Sequence, residues 1–550
     1  MKKNLNIAGL FFGCVTERTL KDKIDYNFLD KETGAVGKRM NLLVRGKMSL
    51  LLLFFCFQIS ISGYGQKQAS TSKPNIIYIL ADDMGYGELG CYGQQKILTP
   101  HIDQLAAEGM KFTQHYVGTP VCGPSRCNLL TGRNSGHAYV RGNVGLLPYK
   151  ENEMEPGSFP ITASTPTLGE LFKKAGYATG VIGKWGLGNH DNAGDPQKHG
   201  FDYFDGYYDQ RHAHNYYTTH LYENRKWESL NNPVINVHPK LKGVTVTPED
   251  VETYKGKEYS IDKMTTHALE FISANKSKPF FLYLPYTLPH AALQVPEPDI
   301  ERYKKLLNES PLLLTTGYVP TFYPLSTYAA MISYLDKQVG LIEEQLKKLG
   351  LDKNTIVIFC SDNGPAGTLG PNSNYFNSAG ILRGRKQDLY EGGIREPFIV
   401  KWPGKIAAGK VSNYPSATYD MMETFAELLR VKAPENDGVS ILPTLLGNPS
   451  RQKQRAYMYW EYPDKGGQMA IRMGKWKGVK TGLNKNARAP WQIFNLETDE
   501  REMIDVAAEH PELLKQFDAI VKKEHQTPVR PEWDLFNPDR PAGIDNGESE

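Results

Sequence analysis

The residues with the clearest potential for chemistry lie at the start of a predicted helix. The run Cys122-Gly123-Pro124-Ser125-Arg126 places a proline in the first turn, where it is tolerated, and Leu129 and Leu130 give the helix an apolar side. A helix N-terminus offers unpaired backbone N–H groups, and Arg126 adds a full charge one turn in. We therefore predict an anion site beside a cysteine with a lowered thiol pKa. The alternative is a buried structural cysteine.

Oxygen-bearing side chains follow two predicted buried strands. Asp82 and Asp83 come directly after the first apolar run of the chain, and Asp362 and Asn363 come directly after a later one. Ligands gather at the carboxyl ends of strands in open α/β sheets, and adjacent carboxylates are costly to hold together without a cation. Hard oxygen ligands favour Ca²⁺, with Mg²⁺ as the alternative. A solvated turn is the other explanation for either pair alone.

Positive and proton-donating groups occupy comparable places. Lys184 ends a short Gly-rich strand, His290 follows another strand, and Lys386 comes after the second acidic pair. Solvated lysines and a structural histidine are the simpler explanations for each alone. Together with Arg126, however, these groups around a divalent cation describe a pocket for a tetrahedral oxyanion ester.

Residues 197–240 are rich in Tyr, His and Asn and lack periodicity, so we predict an insertion or long loop near the site. His212 and His214 in this segment are candidates for substrate binding, and so are three polar residues beyond the Cys122 helix, namely His137, Arg141 and Asn143. A solvated loop is the alternative for any one of them. A zinc site at His212 and His214 lacks further ligands nearby.

The alternation of apolar runs and helical patterns predicts an α/β fold. Predicted strands lie at 74–81, 110–117, 177–184, 277–285 and 355–361, and predicted helices begin near Pro100, Cys122, Thr165, Leu325 and Pro511. After residue 449 the pattern changes to short strand-like pieces with polar breaks. We therefore predict a catalytic domain at 74–449 and a smaller α+β subdomain at 450–545.

The composition excludes several classes of protein. The chain has 550 residues, a formal net charge of +3 and 23% charged residues, and it carries no long basic run, which argues against a nucleic-acid partner. Its six cysteines form no close metal or disulfide pattern.

Residues 1–65 have the pattern of a leader. Basic residues at 38–47 precede an apolar run at 49–57 and then small and polar residues, as in a signal peptide. The apolar run is too short for a stable membrane span. The residues before Met40 do not fit this pattern, so we expect translation to start at Met40 or Met48; a loose lipoprotein cleavage box at 10–14 is the second interpretation. We expect the mature protein to be exported to the periplasm or the cell exterior.

The order of these motifs across residues 74 to 500 resembles the type I sulfatase family of the alkaline-phosphatase-like superfamily. The motifs are Asp-Asp at 82, Cys-x-Pro-Ser-Arg at 122, Gly-Lys-Trp at 183, Pro-His at 289, Asp-Asn-Gly at 362, Arg-Gly-x-Lys at 383 and Glu-Gly-Gly-Ile-Arg-x-Pro at 391. The resemblance implies a large, mixed, mostly parallel sheet sandwiched by helices. It also implies a Ca²⁺ ion held by four ligands, Asp82, Asp83, Asp362 and Asn363.

The same resemblance implies a reaction. A maturation enzyme oxidises Cys122 to formylglycine, and the hydrated aldehyde, oriented by Arg126, attacks the sulfur of a sulfate ester. Lys184 and Lys386 contact the sulfate oxygens, and His290 lies near the leaving oxygen. The implied substrate is a sulfated saccharide, and the chain is similar to bacterial sulfatases that act on galactose or N-acetylgalactosamine units.

The chain departs from the family pattern at Gly186. Many sulfatases read Gly-Lys-Trp-His-Leu-Gly, with that histidine assisting the nucleophile, and we name His190, His212 and His214 as candidates to replace it. Two other functions remain open. One is a phosphate ester hydrolase on the same fold without formylglycine, and the other is a non-catalytic protein that binds sulfated glycans.

Overall fold

The computed structural model describes residues 73–146, 157–315, 317–367 and 372–540. The predicted leader at residues 1–65 lies outside this part of the chain. Within these ranges, no helix combines the length and the apolar character needed to cross a membrane.

Eleven strands form a large sheet in the order β10-β2-β9-β8-β1-β7-β3-β4-β5-β6, with β11 beside β2. The strands are β1 (Asn75–Ala81), β2 (Met110–Tyr116), β3 (Ala178–Lys184), β4 (Tyr203–Tyr207), β5 (His220–Glu223), β6 (Lys226–Ser229), β7 (Phe280–Pro285), β8 (Thr355–Ser361), β9 (Arg395–Lys401), β10 (Lys410–Ser412) and β11 (Ser416–Ala417). The central strands β8, β1, β7 and β3 are parallel and fully buried. Burial on both faces explains their continuous apolar runs.

Helices pack on both faces of this sheet. The α-helices of the described residues are α1 (Pro100–Glu108), α2 (Cys122–Thr131), α3 (Leu168–Lys174), α4 (Pro248–Glu252), α5 (Ser260–Ala274), α6 (Glu297–Leu307), α7 (Pro324–Lys348), α8 (Asn372–Phe376), α9 (Glu391–Ile394), α10 (Asp420–Leu429), α11 (Leu442–Leu445) and α12 (Pro511–Glu524). Ile77 of β1 lies in one hydrophobic cluster with α5 and α7, whereas Ile76 lies in another with α2 and α10. Alternate residues of a strand point to opposite faces, so the predicted α/β sandwich is confirmed.

A second sheet follows in the chain, as the change of pattern after residue 449 predicts. Its four antiparallel strands are β12 (Met458–Tyr462), β13 (Gln468–Met473), β14 (Trp476–Thr481) and β15 (Gln492–Asn495). Phe517 of α12 packs with Ile471 and Ile493 of this sheet. The smaller α+β part is thus confirmed, while its boundary at residue 450 stays a prediction.

One feature of the segment at 197–240 was predicted wrongly. Instead of a long loop throughout, it contains β4, β5 and β6, which extend one edge of the large sheet. Each strand has only four or five residues, so no alternation develops that sequence periodicity could detect. Backbone hydrogen bonds to β3 hold β4 in the sheet, although the local sequence has no strand periodicity.

Candidate active site

The ends of β1 and β8 bring four polar residues together, which we call the acidic cluster: Asp82, Asp83, Asp362 and Asn363. The two strands are parallel, with Ala81 opposite Ser361, so the residues that follow them are neighbours. One carboxylate oxygen from each of the three aspartates lies within 4.8 Å of the others. Asn363 Nδ2 donates a hydrogen bond to Asp83 Oδ1 at 2.7 Å.

Two buried cations hold one side of the acidic cluster. Arg126, from the second turn of α2, donates to Asp362 Oδ2 through Nε at 3.1 Å and Nη2 at 2.8 Å, and its Nη2 lies 3.2 Å from Asp82 Oδ2. Lys184, at the end of β3, donates to the same Asp82 oxygen at 2.8 Å. Arg126 Nη1 also donates to the backbone oxygen of Lys184 at 2.6 Å, which ties the helix to the strand.

The pKa shifts and the unpartnered oxygens of the acidic cluster are compatible with an additional cation. Burial favours a raised pKa for Asp82, but Lys184 and Arg126 outweigh it and hold that pKa well below its usual range. Burial and the charge of Asp82 raise the pKa of Asp362 to about 7 against the opposing effect of Arg126. Two buried oxygens, Asp82 Oδ1 and Asn363 Oδ1, have no hydrogen-bond partner among the described residues. This set of oxygen donors fits a hard cation such as Ca²⁺ or Mg²⁺.

Cys122 lies directly beside the acidic cluster. Its Sγ, a carboxylate oxygen of Asp82 and a ring nitrogen of His290 all lie within 4.8 Å of one another. Asn143 flanks the same residue, because its Nδ2 lies 3.6 Å from Cys122 Sγ and its Oδ1 accepts a hydrogen bond from Gly123 N at 3.1 Å. The fold therefore brings the start of α2 and the carboxyl edge of the sheet into one site.

The predicted lowering of the Cys122 pKa is wrong. Burial raises the pKa of this thiol to about 11, and the nearby charges of Lys184 and Lys386 only partly oppose that rise. A helix N-terminus favours a thiolate where the sulfur keeps some contact with water, but Cys122 is only 2% exposed. The unmodified thiol is thus held in its neutral form.

His290 and Lys386 close the other side of the acidic cluster. Lys386 Nζ donates to Asp83 Oδ2 at 3.0 Å and lies 3.2 Å from His290 Nε2. His290 Nδ1 donates to the Ala291 carbonyl oxygen, so Nε2 faces the site and lies 3.4 Å from Asp83 Oδ2. The ring of His214 stacks on that of His290 with centroids 4.5 Å apart, and burial lowers the pKa of His214 well below its usual value.

The structure gives two of the predicted substrate-binding residues partners of their own. His137 Nδ1 lies 2.9 Å from Asp437 Oδ1, and Arg141 Nη1 donates to Glu461 Oε2 at 3.1 Å. Both acids come from segments more than 290 residues further along the chain. These contacts explain the two side chains as ties within the fold, and they give no support to substrate binding. Asn143, by contrast, reaches Cys122.

The three histidines named as replacements for a histidine at 186 do not fill that position. His212 Nε2 contacts Thr218 Oγ1 at 2.5 Å, and the ring of His190 packs at 5.3 Å from that of Tyr208. The ring of His214 stacks on that of His290, and its Nδ1 lies 3.0 Å from His238 Nε2. Within the described ranges, no cluster of three potential metal ligands contains His212 or His214, so the zinc alternative gains no support.

Sequence reasoning missed one residue at the site, Gln210. A Cβ built on Gly186 would lie 1.9 Å from Gln210 Nε2, so the glutamine side chain occupies the space above the glycine. A glutamine neither titrates nor binds metals strongly, so its type gave no signal. The only clue in the sequence was the missing side chain at position 186.

Comparison with known proteins agrees with this geometry. The sequence model of the sulfatase family matches residues 74–431, and the model described as N-sulphoglucosamine sulphohydrolase, C-terminal, matches residues 385–527. An N-acetylgalactosamine-6-O-sulfatase of Bacteroides thetaiotaomicron is 31% identical, over 86% of this chain and 96% of that protein. The N-acetylgalactosamine-6-sulfatase of Mus musculus is 33% identical over 78% of this chain and 75% of its own.

Solved structures show the same relation. The structure of Ps i-CgsB in complex with k-i-k-neocarrahexaose superposes with a TM-score of 0.66 and 28% identity, covering 83% of this chain and 94% of that one. The family match spans more than half of the chain and contains every residue of the site described above. The chain therefore belongs to the sulfatase family and is a sulfuric ester hydrolase.

Proposed function

We propose that this protein hydrolyses sulfate esters on galactose or N-acetylgalactosamine units of glycans, using formylglycine at residue 122 and a bound Ca²⁺ ion. One observation carries the proposal: residue 122, an acidic group and a histidine lie within 4.8 Å of one another beside oxygens that lack partners among the described residues. The protein is an enzyme of the sulfatase family.

The acidic cluster is the proposed cation site. Its four residues would hold Ca²⁺, with Mg²⁺ as the alternative, and the bound ion would draw negative charge from the oxygens of a sulfate group. Three carboxylates that face one another behind two fixed cations are consistent with this role. Arg126 positions Asp82 and Asp362 by bonding both, so the geometry of the donors is set before any ion arrives.

Residue 122 is the proposed nucleophile. Formylglycine would supply a hydrated aldehyde there, which the buried neutral thiol cannot replace. Asn143 donates toward the side chain of residue 122 and accepts from Gly123 N, so it fixes the direction in which that side chain points. Lys184, next to Asp82, places a positive charge beside the position of the sulfate oxygens.

His290 and Lys386 are the proposed proton donors to the departing sugar oxygen. Because the Ala291 carbonyl accepts from Nδ1, a second proton on His290 can only lie on Nε2, which faces the site. Lys386 lies 3.2 Å from that nitrogen and donates to Asp83. A proton delivered from Nε2 lowers the charge on the leaving oxygen as the S–O bond breaks.

The choice of sugar rests on relatives. Two proteins about one third identical are named as sulfatases of N-acetylgalactosamine at position 6, and a structural relative was solved with a neocarrahexaose. These names favour a galactose-configured unit in a sulfated glycan. A panel of 6-sulfated galactose, N-acetylgalactosamine and N-acetylglucosamine, each free and in oligosaccharides, tests this choice through the release of inorganic sulfate.

One experiment separates the proposal from its alternatives. Mass analysis of the peptide that contains residue 122 is paired with assays of sulfate release and phosphate release on the same preparation. Formylglycine with sulfate release supports the proposal. An unmodified cysteine with phosphate ester turnover supports the phosphate ester hydrolase, and binding of a sulfated glycan without turnover supports the binding protein.

Export and maturation are part of the same proposal. The basic and apolar pattern at residues 38–65 supports a signal peptide, with lipoprotein anchoring as the second interpretation. A formylglycine-forming enzyme is the implied partner in the producing cell. The N-terminal mass of the protein recovered from the periplasm and medium tests this, because a protein retained in the cytoplasm with its leader would contradict it.

A further inference from the structure

Gln210 places its carboxamide between Gly186, which follows β3, and Gly123 at the start of α2. It follows β4 by three residues, and its Nε2 lies 1.9 Å from a Cβ built on Gly186 and 3.4 Å from a Cβ built on Gly123. Gly123 directly follows Cys122, and the Oδ1 atom of Asn143 lies 2.6 Å from the same built Cβ. The carboxamide of Gln210 thus lies beside Gly123, the residue that follows the proposed nucleophile.

This carboxamide has unsatisfied hydrogen-bonding capacity. Both Gln210 Nε2 and Gln210 Oε1 are shielded from water, and neither has a hydrogen-bond partner within the part of the chain that the structure describes. Most buried polar side-chain atoms in proteins are paired, and leaving one unpaired is unfavourable. An unpaired amide at this position therefore points to a group that joins the site.

The burial of the amide limits what that group can be. A sugar that enters from solvent reaches atoms that water can also reach, whereas the carboxamide atoms are inaccessible to water. A partner attached to the protein itself meets this condition, and residue 122 is the neighbouring side chain that the proposed maturation changes. Conversion of its thiol to a hydrated aldehyde replaces one weakly bonding sulfur with two hydroxyl groups.

We propose that Gln210 is a positioning residue for residue 122, and that its carboxamide forms a hydrogen bond with a hydroxyl of the hydrated formylglycine. This inference rests on the proposed function. It assigns to Gln210 the space that a histidine at position 186 would enter, because a side chain there would collide with the amide. A carboxamide neither gains nor loses a proton at neutral pH, so Gln210 orients the nucleophile without acting as its base.

The test uses the mature enzyme and three variants: Gln210→Ala, Gln210→Glu and, as a control, Gln104→Ala. Gln104 is exposed on α1, where it bonds Glu108, away from the acidic cluster. Peptide mass first measures the formylglycine content of each protein. The rate at which an aminooxy probe labels the intact protein then reports the fraction of free aldehyde, because the hydrate does not form an oxime.

Gln210→Ala is expected to label about fivefold faster per formylglycine than the wild type, since the hydrate loses one hydrogen bond. Its kcat should fall with little change in KM, because the amide contacts the nucleophile and not the sugar. Gln210→Glu keeps the size of the side chain and adds a titrating group. The pH profile of its kcat should therefore contain one ionisation that is absent from the wild-type profile. Gln104→Ala should match the wild type in every measurement.

Each outcome has a defined meaning. Labelling of Gln210→Ala at the wild-type rate, in protein that carries formylglycine, overturns the role of Gln210 and leaves the proposed function intact. An active wild type with unmodified Cys122 overturns both. If circular dichroism shows that Gln210→Ala does not fold, Gln210→Glu is the deciding variant. A pH profile of its kcat identical to that of the wild type contradicts the proposal.

Discussion

Two buried clusters of charged residues in this protein have similar compositions but differ in whether their side-chain oxygens all have partners. The first is the acidic cluster at the edge of the large sheet. The second, which we call the junction cluster, lies between the large and small sheets and consists of Glu391, Glu502, Lys477, Arg395 and Arg472. Both place carboxylates next to one another with lysine and arginine around them, and both are almost wholly shielded from water.

Every carboxylate oxygen of the junction cluster contacts a cation or a hydrogen-bond donor, although Glu502 Oε1 meets Lys477 through an ion-pair contact and not a hydrogen bond. Lys477 Nζ contacts Glu391 Oε1 at 2.8 Å and Glu502 Oε1 at 2.9 Å. Glu391 Oε2 accepts from Tyr116 at 2.6 Å and lies 3.4 Å from Arg395, and Glu502 Oε2 accepts from the backbone of Glu391 at 2.6 Å. In the acidic cluster, Asp82 Oδ1 and Asn363 Oδ1 lack such partners among the described residues. We therefore interpret the junction cluster as a tie between the two sheets, whereas the unpartnered oxygens of the acidic cluster can bind a cation.

Replacement of the proposed nucleophile is expected to have the largest effect. Cys122→Ala should lower kcat/KM for sulfate release by about 10⁴-fold or more, with an unchanged fold, because no other side chain of the site provides the attacking group. Cys127→Ala is the matched control, since Cys127 lies on the same helix but packs into the hydrophobic core. A Cys122→Ala enzyme that keeps one tenth of its activity would contradict the assignment.

Removing the lysine of the junction cluster should lower the free energy of unfolding without changing kcat. Lys477→Met leaves two buried carboxylates without their lysine and should lower the free energy of unfolding in urea by about 3–5 kcal/mol. The kcat of the folded fraction should stay near the wild-type value. Lys475→Met, on an exposed neighbour, should change stability by no more than about 0.5 kcal/mol. A loss of stability no larger than that of the control would show that the cluster is not a structural tie.

Weakening the acidic cluster should have the opposite pattern. Asp83→Asn removes one carboxylate at a residue whose φ of 64° suits asparagine, and it should weaken Ca²⁺ binding measured by calorimetry about 10–100-fold. The rise in Tm on adding Ca²⁺ to chelator-treated protein should shrink accordingly, while the metal-free form should be no less stable than the wild type. Glu502→Gln should leave Ca²⁺ affinity unchanged. Equal Ca²⁺ affinity in Asp83→Asn and the wild type would remove this residue from the cation site.

The smallest expected effect is a pH dependence at the junction cluster. Burial raises the pKa of Glu502 to about 7, although Lys477 opposes the shift, whereas an unfolded glutamate has a pKa of about 4.3. The folded state thus holds a proton that the unfolded state releases, and stability falls as pH rises from about 4.3 to about 7. Glu502→Gln should remove about 1–3 kcal/mol of that fall in urea unfolding. Parallel pH profiles of the two proteins would contradict this account.

Much of the site could be predicted from the sequence, because local patterns identify the buried strands and the topology of parallel sheets places their carboxyl ends together. Apolar runs at β1 and β8 identify buried parallel strands, and such strands end at the same edge of a sheet. Asp82 and Asp362 could therefore be placed together without any knowledge of the pairing. Lys184 at the end of β3 follows from the same rule, and so does His290 beyond β7.

The tertiary structure alone decided what depends on packing between distant segments. The pKa of Cys122 follows from burial, which no local pattern measures, and so the helix terminus predicted the wrong direction. Arg141 is bound by Glu461, and Gln210 enters the space above Gly186, because segments far apart in the chain happen to meet there. Residue types and spacing specify which chemistry is available, while contacts across the fold decide which side chains are left to perform it.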